Sequence, residues 1–286
     1  MLTLLFDGIA YGMLLFVLAV GLAVTLGLMN FINLAHGAFA MAGGYVTVLL
    51  MNRFGVPFLA CLPLVFIVVG AAGALLERTL YRPMYDKPHL DQVLFSIGLV
   101  FMSVAAVDFF VGSQQQIMQL PAWLQGRFDL AAVGIGKYRL FITVVCAALT
   151  IVLQWVLTRT RFGSRLRASV DDPRVAGGLG LNVNRIFALT FAVGSGLAGL
   201  GGALGAEVLG LDPTFPLKFM IYFLIVVSVG GTTTITGPLL AALLLGVADV
   251  AGKYYVPKLG AFIVYSLMIV ILVLRPQGLF ARGGGK

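Results

Sequence analysis

Apolar residues run along this chain in long blocks, separated by short polar or glycine-rich interruptions. The blocks cover residues 8–28, 32–51, 58–76, 93–111, 140–157 and 186–208, then 219–230, 239–250 and 259–274. A helix needs roughly 17–25 residues to cross a hydrocarbon core, so most blocks suffice and the pair 219–230 and 239–250 is short. Between those two lies Gly230-Gly231-Thr232-Thr233-Thr234-Ile235-Thr236-Gly237-Pro238. Backbone of that composition survives at membrane depth only where it is buried in protein or lines a cavity. Two arrangements satisfy it: two short spans joined by a tight turn, or one re-entrant pair of half-helices. The pattern predicts an all-α, polytopic transmembrane helical bundle of eight or nine spans, with broken or re-entrant helices. Residues 1–286 form one transmembrane domain on this reading, with 158–185 as a loop within it.

Composition turns that pattern into a requirement. Hydrophobic residues make up 60% of the 286, charged residues only 10%, and 36 are glycine. Soluble domains carry roughly 25% charge. A soluble fold could not hide so much apolar surface, and a disordered chain would not contain it. The first block follows Asp7 with no basic segment before it, so it reads as a retained span rather than a signal peptide. Cys61 and Cys146 lie inside apolar blocks and read as small hydrophobes.

The formal net charge of +8 gains its meaning from position. Arg78, Arg82 and Lys87 fall in 77–91. Arg159, Arg161, Arg165, Arg167, Arg174 and Arg185 fall in 158–185, and Arg275, Arg282 and Lys286 in the tail. The span order puts these three segments on one face, which the positive-inside rule makes cytoplasmic. Nucleic acid is not needed to explain the charge. The stretch 112–139 then lies outside, together with the amino end if the first two blocks both cross.

Few residues carry chemistry. No GxxxxGK[ST] phosphate loop occurs, so any ATP used must be hydrolysed by another subunit. His36 and His89 are the only histidines, and no ligand spacing suggests a metal. Ser195 with His36 is the sole couple that an intramembrane hydrolase could use, and Ser195 sits among small packing residues. Asn30, Asn33 and His36 open the second block, where Asn33, Gly37 and Gly44 recur at helical spacing. Polar groups there face a partner helix or a water-filled pathway. Both readings remain open. Thr232, Thr233 and Thr234 offer hydroxyls to backbone or solute in a broken segment, a usual place for a transport site. These two glycine-rich breaks, 30–44 and 230–238, make a candidate inverted repeat.

The loop 158–185 holds a short helix. Asp171 or Asp172 can cap it, Pro173 suits its first position, and Gly180 is a natural terminator. Val175, Ala176 and Leu179 give it a small apolar face, flanked by Arg174 and suited either to a partner's groove or to its own bundle. In 186–208, Ala192, Ser195, Gly199, Gly202 and Ala206 follow the helical period, as in a helix packed tightly near a bundle centre.

Together these stretches resemble the membrane permease subunits of ABC importers for branched-chain amino acids. The resemblance rests on Asn33-Leu34-Ala35-His36-Gly37 with Met41 and Tyr45, and on the segment 172–181. It also rests on Gly230-Gly231 with Gly237-Pro238-Leu239-Leu240, and on the tail Leu274-Arg275-Pro276-Gln277-Gly278-Leu279-Phe280. It covers nearly the whole chain and is similar to the shorter of two paired permeases. Ala38 stands where an acidic residue often follows His-Gly, and the 231–237 turn is threonine-rich where Gly-Ser is more usual.

The resemblance implies a bacterial or archaeal inner-membrane protein that pairs with a second, longer permease. Two cytoplasmic ATPases would bind the loop at Asp172, Arg174, Val175, Ala176, Leu179 and Gly180, and an external solute-binding protein would deliver amino acids or amides. The chain itself would bind no cofactor, ATP being used by its partners, and no nucleic acid. A channel for amides or urea working without ATP is the alternative.

Overall fold

A single long helix, α1 (Leu2–Met29), forms the axis of the molecule in the computed structural model, which describes residues 1–29, 31–130, 133–231, 234–275 and 278. It is buried along most of its length between two helices that run antiparallel to it, α8 (Val183–Leu209) and α10 (Thr236–Tyr255). Gly21 lies on Gly194, Leu18 on Gly201 and Leu14 near Gly205. On the other side Gly8 meets Val247, and Gly12 meets Ala242 and Leu243. Lipid supplies no hydrophobic force between helices, so close backbone approach is what holds such crossings.

Two further helices lean on α8. At the crossing with α2 (His36–Phe54), a Cβ added to Gly202 would run into the Ala40 carbonyl oxygen, and one on Gly43 into that of Gly199. α3 (Phe58–Leu76) crosses nearby, with Gly73 against Ser195 and Val69 against Gly199. α4 (His89–Val111) and α5 (Lys137–Arg159) are peripheral. α5 runs parallel to α1: Asp7 pairs with Arg139 at one end, and Val24 shares a cavity wall with Leu153 and Leu157 at the other. α6 (Arg161–Asp171) and α7 (Pro173–Gly178) join α5 to α8, and α9 (Phe215–Gly230) and α11 (Gly260–Leu274) complete the bundle. A small antiparallel hairpin, β1 (Arg127–Leu130) and β2 (Val133–Gly136), lies in the 112–139 loop.

Among the described residues, six helical segments are long and apolar enough to cross a membrane, as in a multi-pass membrane protein. The packing directions gather the carboxyl ends of α1, α3, α5 and α11 with the amino ends of α8 and α10. Arg78, Arg82, Lys87, the six arginines of 158–185 and Arg275 therefore share one end. Arg282 and Lys286 lie outside the described residues, as do Pro276, Gln277, Leu279 and Phe280 of the tail. Gly278, at φ +89°, sits against the Gly231 amide and the Ser228 carbonyl.

Two sequence expectations need correcting. Residues 32–35 are not helical, because the chain turns there and α2 starts at His36, with the His36 amide on the Asn33 carbonyl (3.3 Å). Asn33 is thus not on one helix face with Gly37 and Gly44. The second concerns 239–250, read as a short span or half of a re-entrant pair: it is the middle of a 20-residue helix, which removes the second alternative and lengthens the first. Lys253 lies beyond its apolar block, yet it pairs with Asp249 one turn back and continues the helix. Gly231, at φ +78°, ends α9 and turns the chain toward α10.

The α2–α8 crossing supplies a stability test. Gly202→Ala should cost about 1–3 kcal/mol, because its neighbour is backbone that cannot swing away. Gly98→Ala on α4, where a Cβ meets open space, should be neutral or slightly stabilising. Melting temperatures of the purified chain in detergent read both, and equal effects would refute the crossing.

Candidate functional site

The turn before α2 is the most unusual part of the bundle. The His36 ring nitrogen Nε2 donates to the Leu18 carbonyl of α1 (2.9 Å). Leu18 lies 11 residues before the end of α1 at Met29, or about 16 Å of helix. Residues 31–35 therefore dip from the basic end to roughly mid-depth before α2 begins.

A clamp of side chains from the next two helices holds this dip. Phe31 is buried edge-on between Tyr81 and Tyr85, at ring-centroid distances of 5.6 and 5.5 Å. The Ile32 amide donates to Gln92 Oε1 (3.2 Å), while Gln92 Nε2 donates to the carbonyls of Met84 and Lys87 (3.3 and 3.1 Å). Asn33 is 1% exposed, and its Oδ1 accepts from the Tyr81 hydroxyl (3.2 Å). Asn33 Nδ2 has no partner among the described residues.

Tyr81 reaches that position because residues Glu77–Tyr81 form a π-helical turn, a form frequent at functional sites. Glu77 is fully buried there. Its carboxylate accepts from Arg82, five residues on, and from the Tyr85 hydroxyl (3.2 and 3.1 Å). Burial, and then the Glu77 carboxylate, push the Tyr85 phenol well above its ordinary pKa.

Sequence reading singled out Asn33 and His36, which lie in this turn, and did not point to Glu77, Tyr81, Tyr85 or Gln92. One signal was available: a carboxylate at the end of an apolar span needs a partner, and Arg82 stands at i+5. Asn30 lies outside the described residues. His36 and Ser195 do not form a couple, since Ser195 Oγ donates to the Phe191 carbonyl (2.8 Å).

The threonine turn is only partly placed. Thr232 and Thr233 lie outside the described residues. Thr234 Oγ1 accepts from the Gly237 amide and the Thr236 hydroxyl (both 3.3 Å) and borders a cavity of about 230 Å³ with Ala23, Gln154 and Arg167.

At the basic end, α7 is a helix with both ends tied. Asp172 Oδ1 accepts from the Arg174 and Val175 amides (2.9 and 3.0 Å), and Pro173 occupies the first turn. At the other end the Leu181 amide bonds the Ala176 carbonyl and the Gly180 amide bonds the Gly177 carbonyl (both 3.0 Å). Gly180 takes φ +84°, and this pairing is the Schellman arrangement. The apolar face differs from expectation. Ala176 is 2% exposed and faces the bundle, whereas Val175 and Leu179 are 58% and 78% exposed. Ala176 is an anchor, and the free apolar surface of α7 is Val175 with Leu179.

The opposite end carries a cavity of about 640 Å³ among α1, α5, α8, α9 and α10. Its wall holds the pairs Asp7–Arg139 and Asp249–Lys253, with Tyr222 donating to Asp249 Oδ1 (3.4 Å). Lys218 on its wall pairs with Asp212 in the loop before α9. Burial pushes Asp212 upward, but hydrogen bonds from Lys218 and Thr214 outweigh it and hold this carboxyl below its ordinary pKa.

The profile of the family described as branched-chain amino acid transport system, permease component, matches residues 4–272. The chain is 28% identical to the high-affinity branched-chain amino acid permease BraD of Pseudomonas aeruginosa, over 97% of this chain and 95% of that one. It is 27% identical to LivH of Salmonella typhimurium, over 97% and 94% of the two chains. To LivM of the same organism it is 28% identical, over 93% and 68%. No solved structure matches.

The Asn33–Tyr81 hydrogen bond predicts a non-additive pair. Asn33→Leu strands a buried hydroxyl and should cost about 1–3 kcal/mol, whereas adding Tyr81→Phe should restore most of the loss. Thermal unfolding of the two single variants and the double variant checks this; strict additivity would exclude the bond as the clamp.

Proposed function

The chain belongs to the family of branched-chain amino acid transport permeases, and from that membership we propose that it is one of two permease subunits of an ABC importer. Its partner is a longer paralogue, and the substrates are branched-chain or related amino acids or amides. Two separate ATPase subunits drive it, a solute-binding protein delivers the solute from outside, and the complex sits in a bacterial or archaeal inner membrane. The observation that carries this reading is the near full-length similarity to LivH, joined by similarity to LivM of the same organism. Both names describe permeases of a high-affinity branched-chain amino acid transport system, as expected if two related chains form one pathway.

We read each step at its own part of the bundle. The residues read as bordering the pathway are Asn30, Asn33 and His36 together with Thr232, Thr233 and Thr234. The outer cavity, with carboxylates and cations on one wall, suits a solute carrying both charges. We read nine crossings, with the amino end outside and the basic end in the cytoplasm. The helices α1–α3 and α8–α10 are read as an inverted repeat, because the loop 210–214 leads into α9 from the outer end much as 31–35 leads into α2 from the basic end.

The ATPase groove would grip α7. Ion pairs at its rim are exposed and worth at most about 1 kcal/mol each, so the grip comes from the apolar face. Leu179→Glu should leave the permease folded but remove the ATPase in co-purification, at a cost of about 2 kcal/mol or more, roughly thirtyfold in occupancy. Arg174→Ala should weaken the complex only in high salt. Full ATPase retention by Leu179→Glu would remove α7 from the interface. Failure of the wild-type chain to co-purify with any ATPase would favour an ATP-independent channel. A screen of amino acids and amides for stimulated ATP hydrolysis by the reconstituted complex identifies the solute.

Orientation has its own test. A cysteine replacing the exposed Ser164 should react with impermeant maleimide only in inverted vesicles. Labelling in intact cells would reverse the topology.

A further inference from the structure

α5 and α8 flank α1 and are joined toward the outer end, where the Tyr138 hydroxyl donates to the Leu204 carbonyl (2.7 Å). Toward the basic end they splay and leave a cleft of about 310 Å³ floored by Gly21 of α1 and Gly194 of α8. Its sides are Val156 and Leu157 of α5, Leu189 and Val193 of α8, and Phe162 and Leu166 of α6. The wall is apolar throughout, and its one hydroxyl residue, Thr190, donates back to the Ile186 carbonyl (2.8 Å). Nothing in this cleft suits a polar solute, and its depth places it in the inner half of the hydrocarbon core.

Three cations neighbour the lining residues along their own helices, toward the basic end. Arg159 follows Val156 by three residues on α5, Arg185 precedes Leu189 by four on α8, and Arg161 adjoins Phe162 on α6; each pair shares a helix face or a turn. All three arginines are exposed, and among the described residues none pairs with a carboxylate. Arg167 differs, because its guanidinium donates to the Leu157 carbonyl and fastens α6 to the end of α5. α6 itself buries Gly163, Leu166 and Ser169 while exposing its arginines, the pattern of a helix lying at the headgroup level. An apolar slot with unpaired arginines on the adjoining helical turns, at the end of the bundle richest in positive charge, complements an acyl chain below a phosphate.

We propose that the α5–α8 cleft binds one anionic phospholipid, its chain between Leu189, Val193 and Val156 and its phosphate held by Arg159, Arg161 and Arg185. The site is independent of the solute carried, since it rests on membrane insertion alone. A bound chain fills the gap that α5 leaves over α1, so the lipid packs as part of the bundle.

The full-length chain, purified in mild detergent, is equilibrated with mixed micelles holding equal amounts of dioleoyl-phosphatidylglycerol and dioleoyl-phosphatidylcholine. Native mass spectrometry then counts the retained lipid. One phosphatidylglycerol should remain per chain, favoured over phosphatidylcholine roughly thirtyfold, a preference of the size that two arginines near a membrane surface confer. The double variant Arg159→Ala, Arg185→Ala should bring the preference close to unity. Val193→Trp, which fills the slot from an exposed position, should abolish retention of both lipids without lowering the melting temperature. Equal retention of the two lipids by the wild-type chain would overturn the site. So would a double variant that keeps its preference, including one that keeps it while losing ATPase subunits, since the arginines would then serve a protein interface.

Discussion

Backbone contact between helices is the constraint on which this bundle depends. In water a core forms because apolar side chains leave solvent; in lipid that gain vanishes, and close approach has to supply the attraction. Gly199 and Gly202 of α8 meet Gly43 and Ala40 of α2, and Gly194 meets Gly21 of α1, leaving no room for side chains between them. α8 can therefore touch three helices at once. Gly8, Gly12 and Gly246 do the same for α1 and α10. The glycine content that looks excessive for a helical protein is the packing surface itself.

That closeness makes the mid-depth break affordable. A chain that dips into hydrocarbon exposes amides and carbonyls that must be satisfied internally. Here the Ile32 amide is met by Gln92, the Asn33 side chain by Tyr81, and the His36 ring by an α1 carbonyl. Each partner comes from a different element, so the break is stable only when α1, the π turn after α3 and the start of α4 are all in place. A movement of any one of them would be felt at the turn.

The sequence made some of this legible and hid the rest for physical reasons. Span positions followed from hydropathy because the bilayer filters composition strongly, and α8 was readable as central from Ser195, Gly199 and Gly202 on one face. The caps of α7 were readable because Asp172, Pro173 and Gly180 act through local backbone geometry. Burial of Ala176 against exposure of Val175 and Leu179 was not, since six residues do not define which face meets the bundle. Nor was the clamp. Glu77, Tyr81 and Gln92 reach the break through a π turn and through contacts 48 and 60 residues away in the chain, which no local spacing records. The far end of α10 was masked because hydropathy scores Lys253 as a free charge, where the fold pairs it with Asp249.

The two ends of α7 are fixed in different ways, and this bears on how a force applied there would travel. On one side α6 is held to α5: Gly163 lies against the Leu157 carbonyl, where no side chain fits, and Arg167 donates to the same carbonyl. On the other side the Schellman turn at Gly180 leads within two residues to Asn182, whose side chain caps α8 through the Arg185 amide (3.0 Å). No slack segment separates α7 from α8. A displacement of α7 would therefore be carried into α8, and α8 is the helix whose backbone touches α1, α2 and α3. The break before α2 lies on the far side of that same contact. With Ala176 anchored inward and Leu179 outward, α7 can be gripped from the solvent while remaining part of the bundle, so this six-residue helix is mechanically joined to α8.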